Sequence, residues 1–228
     1  MYKRKEIIGD CTLFLGDNKD IIDSVECDAV VTDPPYGINY KPFNKNWDKT
    51  PKKVKKIIGD NEKFNPYFIL NKKIPCILWG SNNFNDLLPV GDVLIWDKRT
   101  NKNNDKMLGS PCEIAYKSNN LLKSNVYIFR LLHGGVVNAD SVNGNNEPRF
   151  HPTQKPIQLM KWCISHLPKD CQTILDPFMG SGSTLVACAK MNRKGIGIEL
   201  DEGYFDIACK RVEDAYRQPD LFYNGKAT

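Results

Sequence analysis

The sequence predicts an α/β protein built on a doubly wound, mostly parallel sheet. Short continuous apolar runs recur along the chain, as in strands buried on both faces of a parallel sheet. Segments of near-helical periodicity separate the later runs. Four of the runs end on or beside an acid, at the strand ends where such sheets bind their ligands.

Taken in order, the predicted strands begin with CTLFLGD (11–17), CDAVVTD (27–33), PCILWG (75–80), DVLIWDK (92–98) and CEIAYKS (112–118). Around the last of these, Asn, Gly, Lys and Ser dominate from 98 to 119, and they do so again from 138 to 149, so these stretches read as loops. HPTQKP (151–156) reads as a proline-bounded helix start before IQLMKWCI. TILDPF (173–178) is the next strand. STLVACAKMNRK (183–194) then sets Leu185, Val186 and Ala189 at helical spacing, with Gly195 as a stop. GIGIEL (195–200) reads as a strand again. Finally, EGYFDIACKRVEDAYR (202–217) puts Tyr204, Phe205, Ala208, Val212 and Ala215 on one helical stripe, with bases gathering after Lys210.

The 228 residues fit one large domain spanning 1–228, which would bury roughly 70 to 75% of its unfolded surface. No stretch approaches the roughly eighteen consecutive apolar residues of a membrane span. MYKRKEIIGDC lacks the apolar stretch and cleavage site of a secretory signal, so a cytoplasmic location is expected. Eight scattered cysteines without a CxxC pair read as reduced, packed thiols rather than a zinc site or disulfide framework. His133, His151 and His166 form no metal-ligand pattern, and no metal is expected. The net charge of +5 is unevenly placed, since seven lysines face only Asp48 and Asp60 between positions 41 and 60. Such a run is either a solvated loop or a phosphate-contacting strip.

Two constellations carry chemistry. In DPFMGSGSTLVACAK, a strand, a small-residue turn and a helix bring several backbone N–H groups together, which suits an anionic or strongly polar ligand. The turn is not a dinucleotide fingerprint, because Leu185 stands where its third glycine would be, and it lacks the GK-Ser/Thr of a Walker A loop. Glu199 follows Gly180 by 19 residues, about the separation at which an acid meets ribose hydroxyls. A nucleoside with a polar, non-phosphate tail fits both facts, and S-adenosylmethionine is such a ligand.

The second constellation is VVTDPPYGINY (30–40). Four independent residues at about 5% usage each would give DPPY in a chain of this length on the order of once in a thousand. Pro-Pro could simply end a strand. Yet Asp33 can accept a hydrogen bond from an exocyclic amine, the Pro34 carbonyl can accept a second, and Tyr36 offers a stacking face. Those contacts describe a planar base bearing an amine.

Together these residues identify a resemblance. The chain resembles the amino DNA methyltransferases, specifically the permuted group in which DPPY precedes the cofactor motif, and among them the small phage and prophage type. The resemblance is carried by LGD (15–17), VVTDPPYGI (30–38), LWGSNNF (78–84), VLIWDKR (93–99), CEIAY (112–116), HPTQKP (151–156), LDPFMGSGST (175–184) and GIGIELDEGYFDIACKR (195–211). It implies a Rossmann-like methyltransferase fold and S-adenosyl-L-methionine as cofactor. It further implies that Asp33, Pro34, Pro35 and Tyr36 hold the target base, with Asp33 also bordering the cofactor. The cofactor would rest in the turn of Asp176, Phe178, Gly180, Ser181, Gly182, Ser183 and Thr184. Glu199 would take the ribose hydroxyls, Asp17 the adenine end, and Lys155 would lie near the methionine carboxylate.

Direct methyl transfer to a flipped base in double-stranded DNA follows from the same resemblance. The polar segments 39–63 and 98–150 would contact nucleic acid, with Lys52, Lys53, Lys55, Lys56 and Arg99 as phosphate contacts. Asp at the first DPPY position favours adenine N6, with cytosine N4 as the alternative. An RNA methyltransferase and an inactive DNA-binding relative are the readings from other classes. No long insert stands out for target recognition, so short loops or a second copy in a homodimer would supply it.

Overall fold

The computed structural model describes residues 1–39, 58–99, 110–119, 123–132 and 154–217. Among these, nine strands form one sheet: β1 (Arg4–Ile8), β2 (Cys11–Leu15), β3 (Ala29–Thr32), β4 (Cys76–Trp79), β5 (Gly91–Asp97), β6 (Cys112–Ser118), β7 (Val126–Arg130), β8 (Thr173–Asp176) and β9 (Lys194–Glu199). Their spatial order is β1-β2-β9-β8-β3-β4-β6-β5-β7. The five strands from β2 to β4 are mutually parallel. β6 runs antiparallel to both β4 and β5, and β1 antiparallel to β2.

The central strands are buried on both faces because both faces are covered. Val31, Ile77 and Ile174 point into one core with helices α3 (Ile157–Ser165), α4 (Ser183–Lys190) and α5 (Glu202–Arg217). Their neighbours Val30, Leu78 and Leu175 point into the other, against Ile21 of α1 (Asn18–Ile21), Ile69 of α2 (Tyr67–Leu70), Phe64 and Phe84. Each fully buried Leu, Ile or Val contributes about 1.5–3 kcal/mol, which makes these strands the stable floor of whatever sits at their ends.

The outermost strands differ from the sequence expectation. β1 (RKEII) and β7 (VYIFR) alternate between half-buried and exposed positions, and neither reads as an apolar run. They pair at the two rims of the sheet, where one partner strand suffices and charge on the outer face is tolerated.

Helix ends follow from local chemistry. Asp17 caps α1 by accepting the Lys19 N–H at 2.9 Å. Pro156 stands in extended conformation at the N-cap of α3, and its ring fits there because no N–H is needed. Asp201 caps α5 through the Tyr204 N–H at 3.1 Å. Among the described residues, no helix is long and apolar enough to cross a membrane.

Candidate active site

β3 and β8 are parallel neighbours, with Ala29 opposite Ile174 and Val30 opposite Leu175. From β3 the sheet continues to β4 on one side, and from β8 to β9 on the other. That reversal opens a crevice beyond the carboxyl ends. A cavity of about 850 Å³ fills it, lined among others by Asp17, Asp33, Pro34, Pro35, Tyr36, Glu113, Lys155, Phe178, Gly180, Ser181, Ser183 and Glu199. Residues read as two constellations more than 140 positions apart therefore share one space.

The turn between β8 and α4 is held from beneath. Asp176, buried at the end of β8, accepts from Thr32 Oγ1 at 2.6 Å, the Phe178 N–H at 3.1 Å and Thr184 Oγ1 at 2.6 Å. Burial pushes its carboxyl up to about 6, against the pull of those donors. Asp176 and Thr184, both expected at the cofactor, border the cavity and through these bonds join β3, the turn and α4.

Gly180 and Gly182 have φ values of +52° and +82°, where a side chain would be strained. Their surroundings differ. A Cβ on Gly180 would meet nothing within 4 Å, whereas one on Gly182 would lie 2.9 Å from the Ala208 Cβ. Gly180 thus faces open space, and Gly182, also expected at the cofactor, instead lets α5 pack against the turn.

Glu199, at the end of β9, receives three backbone donors: the Gly180 N–H at 2.9 Å on Oε2, and those of Leu200 and Asp201 at 2.9 and 2.7 Å on Oε1. Burial raises its carboxyl despite them. The carboxylate is fixed on the cavity wall beside the open glycine. Asp17 is exposed at the same rim, and the neighbouring Asn18 side chain donates to the Pro177 carbonyl at 3.2 Å, tying α1 to the turn.

On the opposite wall, the Asp33 carboxylate accepts from the Tyr36 hydroxyl on Oδ1 and lies 2.5 Å from Lys155 Nζ through Oδ2. Lys155 Nζ also sits 3.0 Å from Glu113 Oε2, and Lys98 grips the other oxygen of Glu113. Burial raises the Asp33 carboxyl, with Lys155 pulling the other way. Burial alone would raise Glu113 too, but Lys155 and Lys98 hold it down at about 2. Burial also works against the Lys155 charge, yet Asp33 and Glu113 together hold the ammonium well above its ordinary range. Lys155, expected near the methionine carboxylate, lines the cavity with its ammonium engaged by the carboxylates of Asp33 and Glu113.

The elbow itself is rigid. Tyr36 packs on Gly80, whose φ is +72° and where a Cβ would fall 2.0 Å from the ring. Asp60 accepts the Gly37 and Ile38 N–H groups at 2.9 and 3.2 Å, strapping the chain just after the tyrosine. Lys52, Lys53, Lys55 and Lys56 lie outside the described residues. Arg99 is described but does not line the cavity; its N–H is received by Asp97 at 3.0 Å.

Several residues that build the site were not singled out from the sequence. Glu113, Asp60 and Arg211 are the main ones. Arg211 donates to the Ser181 carbonyl at 2.6 Å and to the Ser181 and Ser183 hydroxyls at 3.0 and 3.3 Å, buttressing the turn from α5. A signal existed, for Arg211 falls three residues after Ala208 on the buried stripe of its helix, an unusual place for a charge.

A family model for the N6/N4 methyltransferases, described as DNA methylase, matches residues 27–210. The chain belongs to the N6/N4 DNA methylase family. It is similar to the Type II methyltransferase M.HindIII of Haemophilus influenzae, 28% identical over 180 residues, covering 78% of this chain and 55% of that protein. It is also similar to the Type II methyltransferase M.HpaI of Haemophilus parainfluenzae, 36% identical over 93 residues, 41% of this chain and 27% of that one. The chain thus spans about half the length of M.HindIII and less of M.HpaI. Among solved structures, M1.HpyAVI in complex with SAM matches with a TM-score of 0.55 and 26% identity, over 88% of this chain and 99% of that one. The cytosine-N4-specific PvuII DNA methyltransferase matches with a TM-score of 0.57 over 95% of each chain, at 14% identity, a likeness of fold. The α/β methyltransferase fold predicted from the sequence is the one found.

Proposed function

We propose that this chain transfers a methyl group from S-adenosyl-L-methionine to the N6 amino group of adenine in DNA, directly and on a base flipped out of the duplex. The observation that carries this reading is the shared cavity: Asp33 and Tyr36 form one wall, Gly180 and Glu199 the other. Its volume of about 850 Å³ is in the range of cofactor-sized sites.

The residues present fit the cofactor. Open space before the Gly180 backbone admits a ligand, and the fixed Glu199 carboxylate has lone pairs left for ribose hydroxyls. Asp17 stands at the adenine end of the same wall. When bound, the cofactor supplies an electrophilic sulfonium methyl.

The chain's own work falls on the amine. An aromatic amine is a weak nucleophile because its lone pair is delocalised into the ring. Asp33 and the Pro34 carbonyl accept its two N–H groups, which favours a more tetrahedral nitrogen and strengthens toward the transition state. Tyr36, its ring backed by Gly80, replaces the stacking lost on flipping. Alignment of amine and methyl across the cavity supplies the remaining gain. The polar segments 39–63 and 98–150, with Lys52, Lys53, Lys55, Lys56 and Arg99, provide phosphate contacts in this reading.

Adenine is favoured over cytosine because the first DPPY position is Asp. Incubation with labelled S-adenosyl-L-methionine and unmethylated DNA or RNA, followed by mass spectrometry of the nucleosides, tests the proposal. N6-methyladenine in DNA is the expected product. N4-methylcytosine alone would overturn the base assignment, methylation confined to RNA the substrate, and no product on either nucleic acid the activity.

A further inference from the structure

We propose that Lys155 and Glu113 are positioning residues of the methyl-acceptor site: they hold Asp33 ionised and in one rotamer, and Lys155 is not a ligand of the cofactor. The proposal deepens the function proposed above and rests on it for its catalytic consequence.

Geometry carries it. Lys155 is only 7% exposed, and its ammonium contacts Asp33 at 2.5 Å and Glu113 at 3.0 Å. Two carboxylates at these distances offset the lost hydration of a buried ammonium and fix where it sits. Glu113 is anchored from its far side by Lys98, which follows β5 and donates its backbone N–H to the Pro111 carbonyl at 3.0 Å. Both lysines also lie over indole faces, Lys98 over Trp96 at 5.0 Å and Lys155 over Trp79 at 5.9 Å, on the core face of the sheet. The row therefore alternates in sign from β5 to the DPPY elbow, and its last member fixes the oxygen of Asp33 that Tyr36 leaves free.

The arrangement answers a specific difficulty. A carboxylate that must accept an N–H from an uncharged amine, inside a desolvated pocket, drifts toward its protonated form. Among the described residues, the groups facing Asp33 are Tyr36 from the elbow, Lys155 from the segment before α3, Glu113 from β6 and Asp176 from β8. Lys155 is the one cation among them, so it opposes both burial and two like charges. Glu113 raises the Asp33 carboxyl slightly by its own charge, and its role is to hold the lysine in register.

The test reads Asp33 without cofactor or DNA. Carboxyl carbons of aspartate are isotopically labelled and titrated by NMR in the wild type and in Lys155→Met, Lys155→Arg and Glu113→Gln. Lys155→Met is expected to move the Asp33 titration upward by about one pH unit or more. Lys155→Arg restores it toward wild type, and Glu113→Gln moves it slightly down. In parallel, Lys155→Met and Glu113→Gln lower kcat at least about tenfold, the acidic limb of the Lys155→Met pH profile moves up with Asp33, and S-adenosylhomocysteine binds all variants within about threefold of wild type. An unchanged Asp33 titration in folded Lys155→Met, or a loss of S-adenosylhomocysteine affinity with the titration unmoved, would overturn the proposal and return Lys155 to the cofactor. Absence of methyl transfer by the wild type would instead remove the function proposed above, while leaving the titration result intact.

Discussion

The Gly180 N–H donates to the Glu199 carboxylate at 2.9 Å, joining residues 19 positions apart across α4. The glycine turn and the acid at the end of β9 are therefore one preformed surface. Glu199→Ala removes both the proposed receptor for ribose hydroxyls and the anchor of the turn. It is expected to weaken S-adenosyl-L-methionine binding roughly 10- to 100-fold by calorimetry, the cost of losing a hydrogen bond to a charged acceptor. Binding at wild-type strength would take Glu199 out of the cofactor site.

Gly80 tests whether the rigidity of Tyr36 matters. An alanine there must hold φ at +72° and place its Cβ 2.0 Å from the tyrosine ring. Gly80→Ala is expected to cost about 1–3 kcal/mol in denaturant unfolding and to lower kcat more than it weakens cofactor binding.

Arg211 supports the turn from outside the cavity. Arg211→Met leaves the Ser181 carbonyl and two hydroxyls without their cationic donor. A loss of about 2–4 kcal/mol of stability is expected. Added S-adenosyl-L-methionine should recover part of it, seen as a larger upward shift in Tm than in the wild type.

Two opposite pH dependences are expected in stability. Asp176 has a carboxyl raised to about 6, so the folded state keeps that proton where the unfolded chain, near 3.9, has lost it. Its contribution is full below about pH 4 and declines as pH rises to about 6, by up to about 3 kcal/mol. Glu113 and Asp92, both held down at about 2, act in the other sense: their stabilisation is present above about pH 4.5 and is lost as pH falls toward 2. Denaturant titrations of the wild type and Asp176→Asn separate them. The substitution reduces the decline between pH 4 and 6, to which the raised carboxyls of Asp33 and Glu199 also contribute, and leaves the acid limb in place.

The sheet was legible where burial is two-sided. AVVT and CILW are buried at all four positions, and such strands announce themselves as continuous apolar runs. β1 and β7 lie at the rims, where alternation with charge hides a strand inside what reads as polar sequence. The site shows a similar division. Asp33, Tyr36, Gly180 and Glu199 stand at strand ends or in a turn, so local pattern points to them. The partner of Asp33 lies 122 residues away and depends on an antiparallel excursion through β5 and β6 that no local pattern encodes. Spacing along the chain carries no information about which carboxylates the buried Lys155 ammonium meets, and Asp33 and Glu113 become its partners only in the folded sheet.

The central claim is that Asp33 receives the amine to be methylated, and the most direct measurement compares the wild type with Asp33→Ala. Both are assayed for S-adenosyl-L-methionine binding and for label transfer to unmethylated DNA. The account predicts that both bind the cofactor with similar affinity, that the wild type produces N6-methyladenine, and that Asp33→Ala transfers at least about a hundredfold more slowly. Transfer by a folded Asp33→Ala at the wild-type rate would contradict it.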